Sequence, residues 1–530
     1  MLQIEKSNSV IISFILSVLM VVSILSKFSF VPSIQVALFL LICLLFIYLL
    51  NTNKIKLNSY IVTTMLFFTV SCLSYIGADF KVNVRDYLII LSSALMAGFS
   101  FSLLSTEWKK KVFIVPIFIS LWLSMILFTR FATHPELFFQ IDNFYEDMAL
   151  NINVIAGFLA LVFPLFFILI KEKKNAKVYV AMMIFVLFAI FLTKCRIVIL
   201  VSFISTIIFL LEYRKNKIIK VLITVLIVSL ISAIVYASMA KTSFNSVGDR
   251  LVWWKTAYLI FKENIFLGCG FGNYMVLFKT FRPELVVNTL FAHNIFVQLL
   301  AEIGLVGLLS FIVLLLSFYK KFVDRLIEGK DVSFYVYVSL SITSFIIVNL
   351  VDYSFFVPAN MLVFFMIFSS MFYVESEQRK KSKISFYVCL AIYAFILFSF
   401  AKPVIANNYY KKGIGFYVSG YYKVAIEEFG KAIKFDKKNP EYYAQTSRAY
   451  FALYDKNRNE QGQIYADNSV KYLQKAIDLN KYSAQLRGAL ASVYWNNDKK
   501  EEALNAIQEA IKYDKYNPYY EEYYYKIKNS

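Results

Sequence analysis

An all-α, polytopic membrane protein followed by a helical repeat module is the fold class that this sequence predicts. Three observations carry the prediction. Of 530 residues, 59% are hydrophobic and 18% aromatic, with a mean hydropathy of +0.61, more apolar surface than a soluble core needs. The excess is gathered in runs of about 18 or more residues, the length that crosses a bilayer as a helix. From Asn407 onward the composition turns abruptly to Tyr, Lys, Glu and Ala and carries an internal repeat.

About 13 apolar spans are expected, at roughly 20 residues per crossing. They centre near Phe14, Leu40, Met65, Leu91, Trp122, Leu161, Val186, Phe203, Val228, Leu308, Ser341, Phe365 and Ile392. The first, Val10 to Leu25, has no small-residue cleavage signature and reads as a retained helix. Basic loops follow alternate spans, among them Lys109-Lys-Lys111, Lys171 to Lys177 and Arg379 to Lys383. By the positive-inside rule these loops and the N-terminus are cytoplasmic. The loop at 241–292 and everything after Lys402 then lie outside. Residues 1–402 are expected to form the membrane domain and 407–530 the repeat domain.

The net charge of +20, from 55 Lys and Arg against 35 Asp and Glu, falls largely in those short loops. It sets membrane orientation and does not call for nucleic acid. Five cysteines, at 43, 72, 195, 269 and 389, show no ligand-like spacing. Neither a metal site nor a disulfide framework is expected, and no cofactor is called for.

In the C-terminal segment, Gly413, Gly420, Tyr422, Ala425, Phe429 and Ala432 fall at tetratricopeptide spacing. Ala-Ile recurs at Ala476 and Ala510, an interval close to the 34-residue period, and Asn-Pro at Pro440 and Pro518 is read as closing units. An insertion is implied around Asp455 to Gly462. Each unit is a helix pair, and about three make a curved module with a surface for a protein or glycan ligand.

The candidate chemistry lies in a polar interruption of the spans. It holds Gly268-Cys-Gly-Phe-Gly272, Ala292-His-Asn294 and Glu302-Ile-Gly304. His293, one of two histidines, can accept a proton from a sugar hydroxyl; a cap or an interfacial anchor is its plainer role. His134 is given no role. Arg250 opens an amphipathic stretch, with Leu251, Trp254, Tyr258 and Phe261 at helical spacing, suited to a bilayer surface. Arg196 stands at the outward end of a span, where cations are scarce and commonly functional. Two arginines beside a histidine can grip a pyrophosphate, and Arg282 is a further candidate or simply a solvated cation. Gly268 and Gly270 read as a tight turn and not a nucleotide cradle, since no strand precedes them. Asn151, Asn153, Asn294 and Asp352 end or begin spans and can bond sugar hydroxyls or cap helices.

Taken in order, these residues resemble the O-antigen ligase/polymerase family of bacterial glycosyltransferases over about Asn151 to Asp352. The resemblance rests on Asn151/Asn153, Thr193/Arg196, Arg250/Trp254, Gly268/Gly270, Ala292/His293/Asn294 and Glu302/Gly304/Gly307. One departure is Cys195-Arg196-Ile197, where the family has Ser-Arg-Gly. The resemblance implies a metal-independent, inverting transfer at the outer face of a bacterial cytoplasmic membrane. The donor is a glycan on undecaprenyl pyrophosphate and the acceptor a glycan, a lipid or a protein. Arg196 and Arg250 would hold the pyrophosphate and His293 would orient or deprotonate the acceptor. Two other readings stay open: a protein O-oligosaccharyltransferase on the same plan, and a glycan transporter, which predicts mid-span charges and paired broken helices. A non-catalytic scaffold would leave the arginine and histidine arrangement unexplained.

Overall fold

The computed structural model describes residues 6–26, 32–133, 151–172, 175–211, 244–374, 376–378, 383–458 and 460–530. Among them the fold is helical, apart from a short antiparallel ribbon, β1 (Asn53–Ile55) with β2 (Ser376–Gln378). Val228 and His134 lie outside the described residues. Each of the other expected span centres falls on a helix. These are α1 (Lys6–Leu25), α2 (Pro32–Thr52), α3 (Ser59–Gly77), α4 (Lys81–Ser102), α5 (Thr106–Thr133), α6 (Ile152–Val162) with α7 (Leu165–Lys171), α8 (Ala176–Leu192) and α9 (Arg196–Leu211). After the polar interruption, with its α10 (Phe244–Glu263) and α11 (Tyr274–Phe281), come α12 (Ile295–Glu328), α13 (Val332–Val348), α14 (Pro358–Ser369) and α15 (Lys383–Val418).

Among the described residues, seven stretches are long and apolar enough to cross a membrane, and four more are apolar but of 12 to 17 residues. The chain is a multi-pass membrane protein. Thirteen crossings remain an expectation, because helix length alone supports seven. Phe14, Phe118, Phe188 and Leu316 stand exposed on the bundle, as lipid-facing side chains do, while α6, α7 and α14 are buried almost throughout.

The repeat module follows without a break. Helix α15 runs on through Pro403 and the expected boundary between 402 and 407 to Val418, where it packs against α16 (Tyr422–Phe435). Further pairs are α17 (Pro440–Lys456) with α18 (Glu460–Leu479) and α19 (Ala484–Asn496) with α20 (Lys500–Tyr513); α21 (Pro518–Asn529) ends the chain. One sequence expectation changes here. The Asn-Pro pairs open helices: Asn439 and Asn517 cap α17 and α21 by accepting the Glu441 and Tyr519 amides, with proline in the first turn. Proline suits that position because its missing N–H would have no helical partner. The extra residues expected around Asp455 to Gly462 go with longer helices there, 17 residues in α17 and 20 in α18.

The module sits on one end of the bundle. Arg282 meets Asp514 at 2.6 Å, with side chains 4% and 3% exposed. Arg85 meets Asp436 at 2.8 Å, and Asp79 meets Lys481 and Tyr482, each at 3.2 Å. Thr280 donates to the Tyr513 carbonyl, and the Tyr516 hydroxyl to that of Pro283. The opposite end carries Lys109, buried and donating to the Phe372 carbonyl at 2.7 Å, and the Lys110–Glu172 pair.

Candidate functional site

The site end is organised by a broken helix. At Gly304, φ is 69° and ψ −172°, a conformation open to glycine and costly for other residues. The break strips backbone groups of helical partners, and the preceding loop supplies new ones. Cys269 and Gly270 amides donate to the Ala301 and Glu302 carbonyls at 3.0 and 2.8 Å, and the Leu305 amide donates to Ile265 at 2.8 Å. Gly268 has φ of 68°; a Cβ there would run into the Glu302 carbonyl, and one on Gly304 into that of Phe266. The two glycines thus permit one mutual approach.

Glu302 converts that break into a support for the histidine. Its Oε1 accepts the Tyr274 amide, capping α11, and the Gln298 Nε2, both at 3.2 Å. Gln298 in turn accepts the Ala292 amide at 2.8 Å. The residue before His293 is therefore anchored to the same carboxylate that anchors the glycine loop.

His293 has φ of 53°, an uncommon conformation for a side-chain-bearing residue and a pointer to function when it is observed. Its ring stacks on Trp253 at 4.5 Å and meets Tyr353 edge-on at 4.8 Å. Asn294 caps α12, accepting the Phe296 and Val297 amides. Three consecutive carbonyls after α13 then join the pieces. Asn349 O accepts the Ile295 amide at 2.8 Å, Leu350 O accepts Asn294 Nδ2 at 3.0 Å, and Val351 O accepts Arg250 Nε at 3.1 Å. The next residue, Asp352, places Oδ1 4.0 Å from His293 Nδ1 and accepts the Ser354 hydroxyl on Oδ2 at 2.5 Å.

Burial, followed by the nearby Arg250 cation, pulls the His293 imidazole down to about 3. The ring is therefore neutral near pH 7. Burial raises Asp352 above the usual carboxylate range, while Ser354 and then Arg250 oppose the rise. Burial, with a further push from Asp352, lifts the Cys195 thiol to about 12; Arg250 counteracts it. The Thr193–Arg196 turn is thus within electrostatic reach of Arg250 and Asp352. Lys194 carries the turn's left-handed conformation, φ 53°, so Ile197 in the place of a glycine is accommodated within α9. Arg196 is exposed at the first position of that helix.

Helix α6 closes the other side. Asn151 caps it by accepting the Asn153 amide at 2.8 Å. A Cβ on Gly157 would collide with the Ser354 hydroxyl and lie 3.9 Å from Asp352 Oδ2. Arg250, His293, Asn294 and Asp352 thus share one cluster, with Asn151 and Asn153 at the start of the adjacent α6 and Arg196 beside it. Arg282 is the correction. Its charge is matched by Asp514 of the repeat module, and its NH1 reaches Asn288 at 3.2 Å. Gly268 and Gly270 shape the turn behind the site. Trp253, Tyr353, Ser354 and Gln298 were missed from sequence; the one available signal was the aromatic Tyr353 directly beside Asp352.

Residues 180–312 match the family model of O-antigen ligases. Over that stretch the chain is similar to O-antigen ligases. That match takes in Arg196, Arg250, His293 and the Gly304 break. The solved structures it resembles include the first tetratricopeptide domain of Spaghetti (RPAP3), bound there to an HSP90 peptide. That resemblance is at 20% identity and a TM-score of 0.21, over 24% of this chain and 93% of that one. Another is a thermophilic tetratricopeptide protein of Thermus thermophilus, at 19% identity and a TM-score of 0.16, over 23% and 80%. No curated protein matches the chain.

Proposed function

We propose that the chain is a membrane glycosyltransferase. It transfers or polymerises an oligosaccharide from an undecaprenyl-pyrophosphate donor at the outer face of the bacterial cytoplasmic membrane. The observation that carries this reading is the cluster in which His293 lies between Asp352 and the field of Arg250. With Nδ1 turned toward Asp352, Nε2 is the imidazole atom that meets the acceptor hydroxyl. The acceptor oxygen attacks the anomeric carbon from the face opposite the pyrophosphate, the carbon–oxygen bond to phosphate breaks, and the pyrophosphate leaves with its electron pair. The hydroxyl proton passes to His293 or, through it, to solvent. Arg250 and Arg196 match phosphate oxygens and stabilise the charge that develops there.

The low imidazole pKa fits this order of events. A base with a pKa near 3 is weak. A pyrophosphate on Arg250 offsets only the smaller cause of the depression, the cation, and leaves burial, the larger one, so donor binding restores part of the imidazole's basicity and no more. Such a donor brings its own leaving group, so positioning and charge stabilisation supply most of the acceleration. The N-terminus on this reading is cytoplasmic and the repeat module extracytoplasmic, and the acceptor is a glycan, a lipid or a protein. The test is incubation of purified protein with a lipid-pyrophosphate-linked glycan. Lengthening chains with release of undecaprenyl pyrophosphate mark a polymerase, and transfer to a different acceptor marks a ligase. Equal activity in wild type, His293→Ala and Arg250→Ala would overturn the reading.

A further inference from the structure

A cavity of about 170 Å³ lies where the repeat module meets the bundle. Its floor is the glycine loop at Cys269 and Asn273, its sides are Asp79 and Phe80 after α3 and Glu263 at the end of α10, and Tyr482 of the module closes it. Two features give it a chemical character. Phe80, Phe281 and Tyr482 bring aromatic faces, with Phe281 and Tyr482 6.2 Å apart. Asp79 and Glu263 bring acceptor oxygens.

Asn273 adds a third feature. The residue is 2% exposed, and its Nδ2 donates to the Phe80 and Cys269 carbonyls at 2.8 and 2.9 Å. Those two bonds fix the amide orientation, and its Oδ1 is buried with no partner. A buried acceptor without a donor is costly, so it marks a place where a hydroxyl or an amine is wanted. Tyr482 is held as a donor: burial, then Asp79 and Glu263, push its hydroxyl to about 12, and it donates to Asp79 at 3.2 Å.

Aromatic faces beside oxygen acceptors, in a cavity the size of one ring, suit a ligand that is apolar on one face and hydroxylated at its edge. We infer that this cavity is a subsite for one sugar unit of the glycan acceptor, completed by the repeat module through Tyr482. The inference rests on the glycosyltransferase reading. It gives the module a role within the reaction: the subsite lacks one wall without it. The subsite's floor is bonded to the α12 break, and Glu302 there leads through Gln298 to the Ala292 amide beside His293. Occupancy therefore bears on the loop that holds the imidazole.

The test has two arms on the full chain in detergent micelles. In the first, saturation-transfer NMR is run with the methyl pyranosides of glucose, galactose and N-acetylglucosamine, and with glycerol as a control. At least one pyranoside is expected to bind above glycerol, and at least about tenfold more weakly in Tyr482→Ala and in Glu263→Gln. Absence of pyranoside binding, or binding unchanged in both cavity variants, would overturn the subsite; Glu263→Gln keeps the result decisive should Tyr482→Ala fail to fold. A signal from glycerol alone, meaning that only small adventitious solutes enter, would also overturn it. In the second arm, the cavity variants are expected to raise the acceptor KM about tenfold with kcat within about twofold. A kcat loss at constant KM would place the cavity outside acceptor binding. The first arm needs no turnover, so a wild type without transferase activity defeats the glycosyltransferase reading separately from the sugar site.

Discussion

Arg250 and Arg282 lie in the same polar interruption, and both are candidate phosphate ligands by residue type and position. Their surroundings differ. Arg282 is buried against the repeat module, with Asp514 at 2.6 Å and the Tyr516 ring 5.4 Å away. Arg250 is half-buried on α10, bonded through Nε to the Val351 carbonyl, with His293, Asp352 and Cys195 all in its field. The first arginine is committed to holding two parts of the chain together. The second sits where the only described histidine is. A cation's role in such a loop is decided by which partner the fold brings to it, and that partner can lie hundreds of residues away.

The sharpest way to break the comparison is at the reacting end. His293→Ala and Arg250→Ala are each expected to lower glycan transfer by about 10² to 10⁴-fold, the range of a general base or a charge stabiliser, with expression and melting temperature near wild type. Asp514→Ala attacks the other arginine. It leaves a buried cation without its counter-charge, expected to cost about 3 to 5 kcal/mol, read as a lower melting temperature in micelles. Arg282→Met with Asp514→Leu should recover much of that loss and retain glycan transfer; a double variant that is stable but inactive would give Arg282 a catalytic role.

Acid separates the two regions more gently. The folded imidazole of His293 lies at about 3, below its ordinary 6.5. The unfolded chain thus binds a proton that the folded one refuses. Stability from this group is full above about 6.5 and is lost as pH falls toward 3. His293→Gln should therefore lose less stability than wild type over that window in thermal unfolding at stepped pH. The smallest effect is expected at Lys481. Its pair with Asp79 is 63% and 45% exposed, so Lys481→Ala should cost less than about 1 kcal/mol, and a loss comparable to Asp514→Ala would put the docking energy at the wrong contact.

The positions of the described spans were readable because each is an apolar run, and apolar runs need no partner to be recognised. The Asn151 and Asn294 caps were readable for a similar reason, since a cap acts within three residues. The break at Gly304 was not, because the groups that compensate it come from Ile265 to Gly270. The pairing of Arg282 with Asp514 crosses 232 positions. Trp253 was passed over for Trp254, which the motif Arg250-x-x-x-Trp254 picks out; the ring on His293 is Trp253. Periodicity along α10 cannot tell which of two adjacent indoles meets an imidazole that enters from another loop.

Helix α15 passes from the apolar bundle into the repeat module with no flexible tether. Its 36 residues make a rod of about 54 Å, on which a tilt of about 6° moves the far end by about 6 Å. That is ample to part Arg282 from Asp514. The join also contains Pro403, which takes one hydrogen bond out of the helix and provides a natural pivot. The last helix therefore joins bundle and module as a single lever arm, and the ion pairs at Asp514 and Asp436 fix where the module at its far end comes to rest.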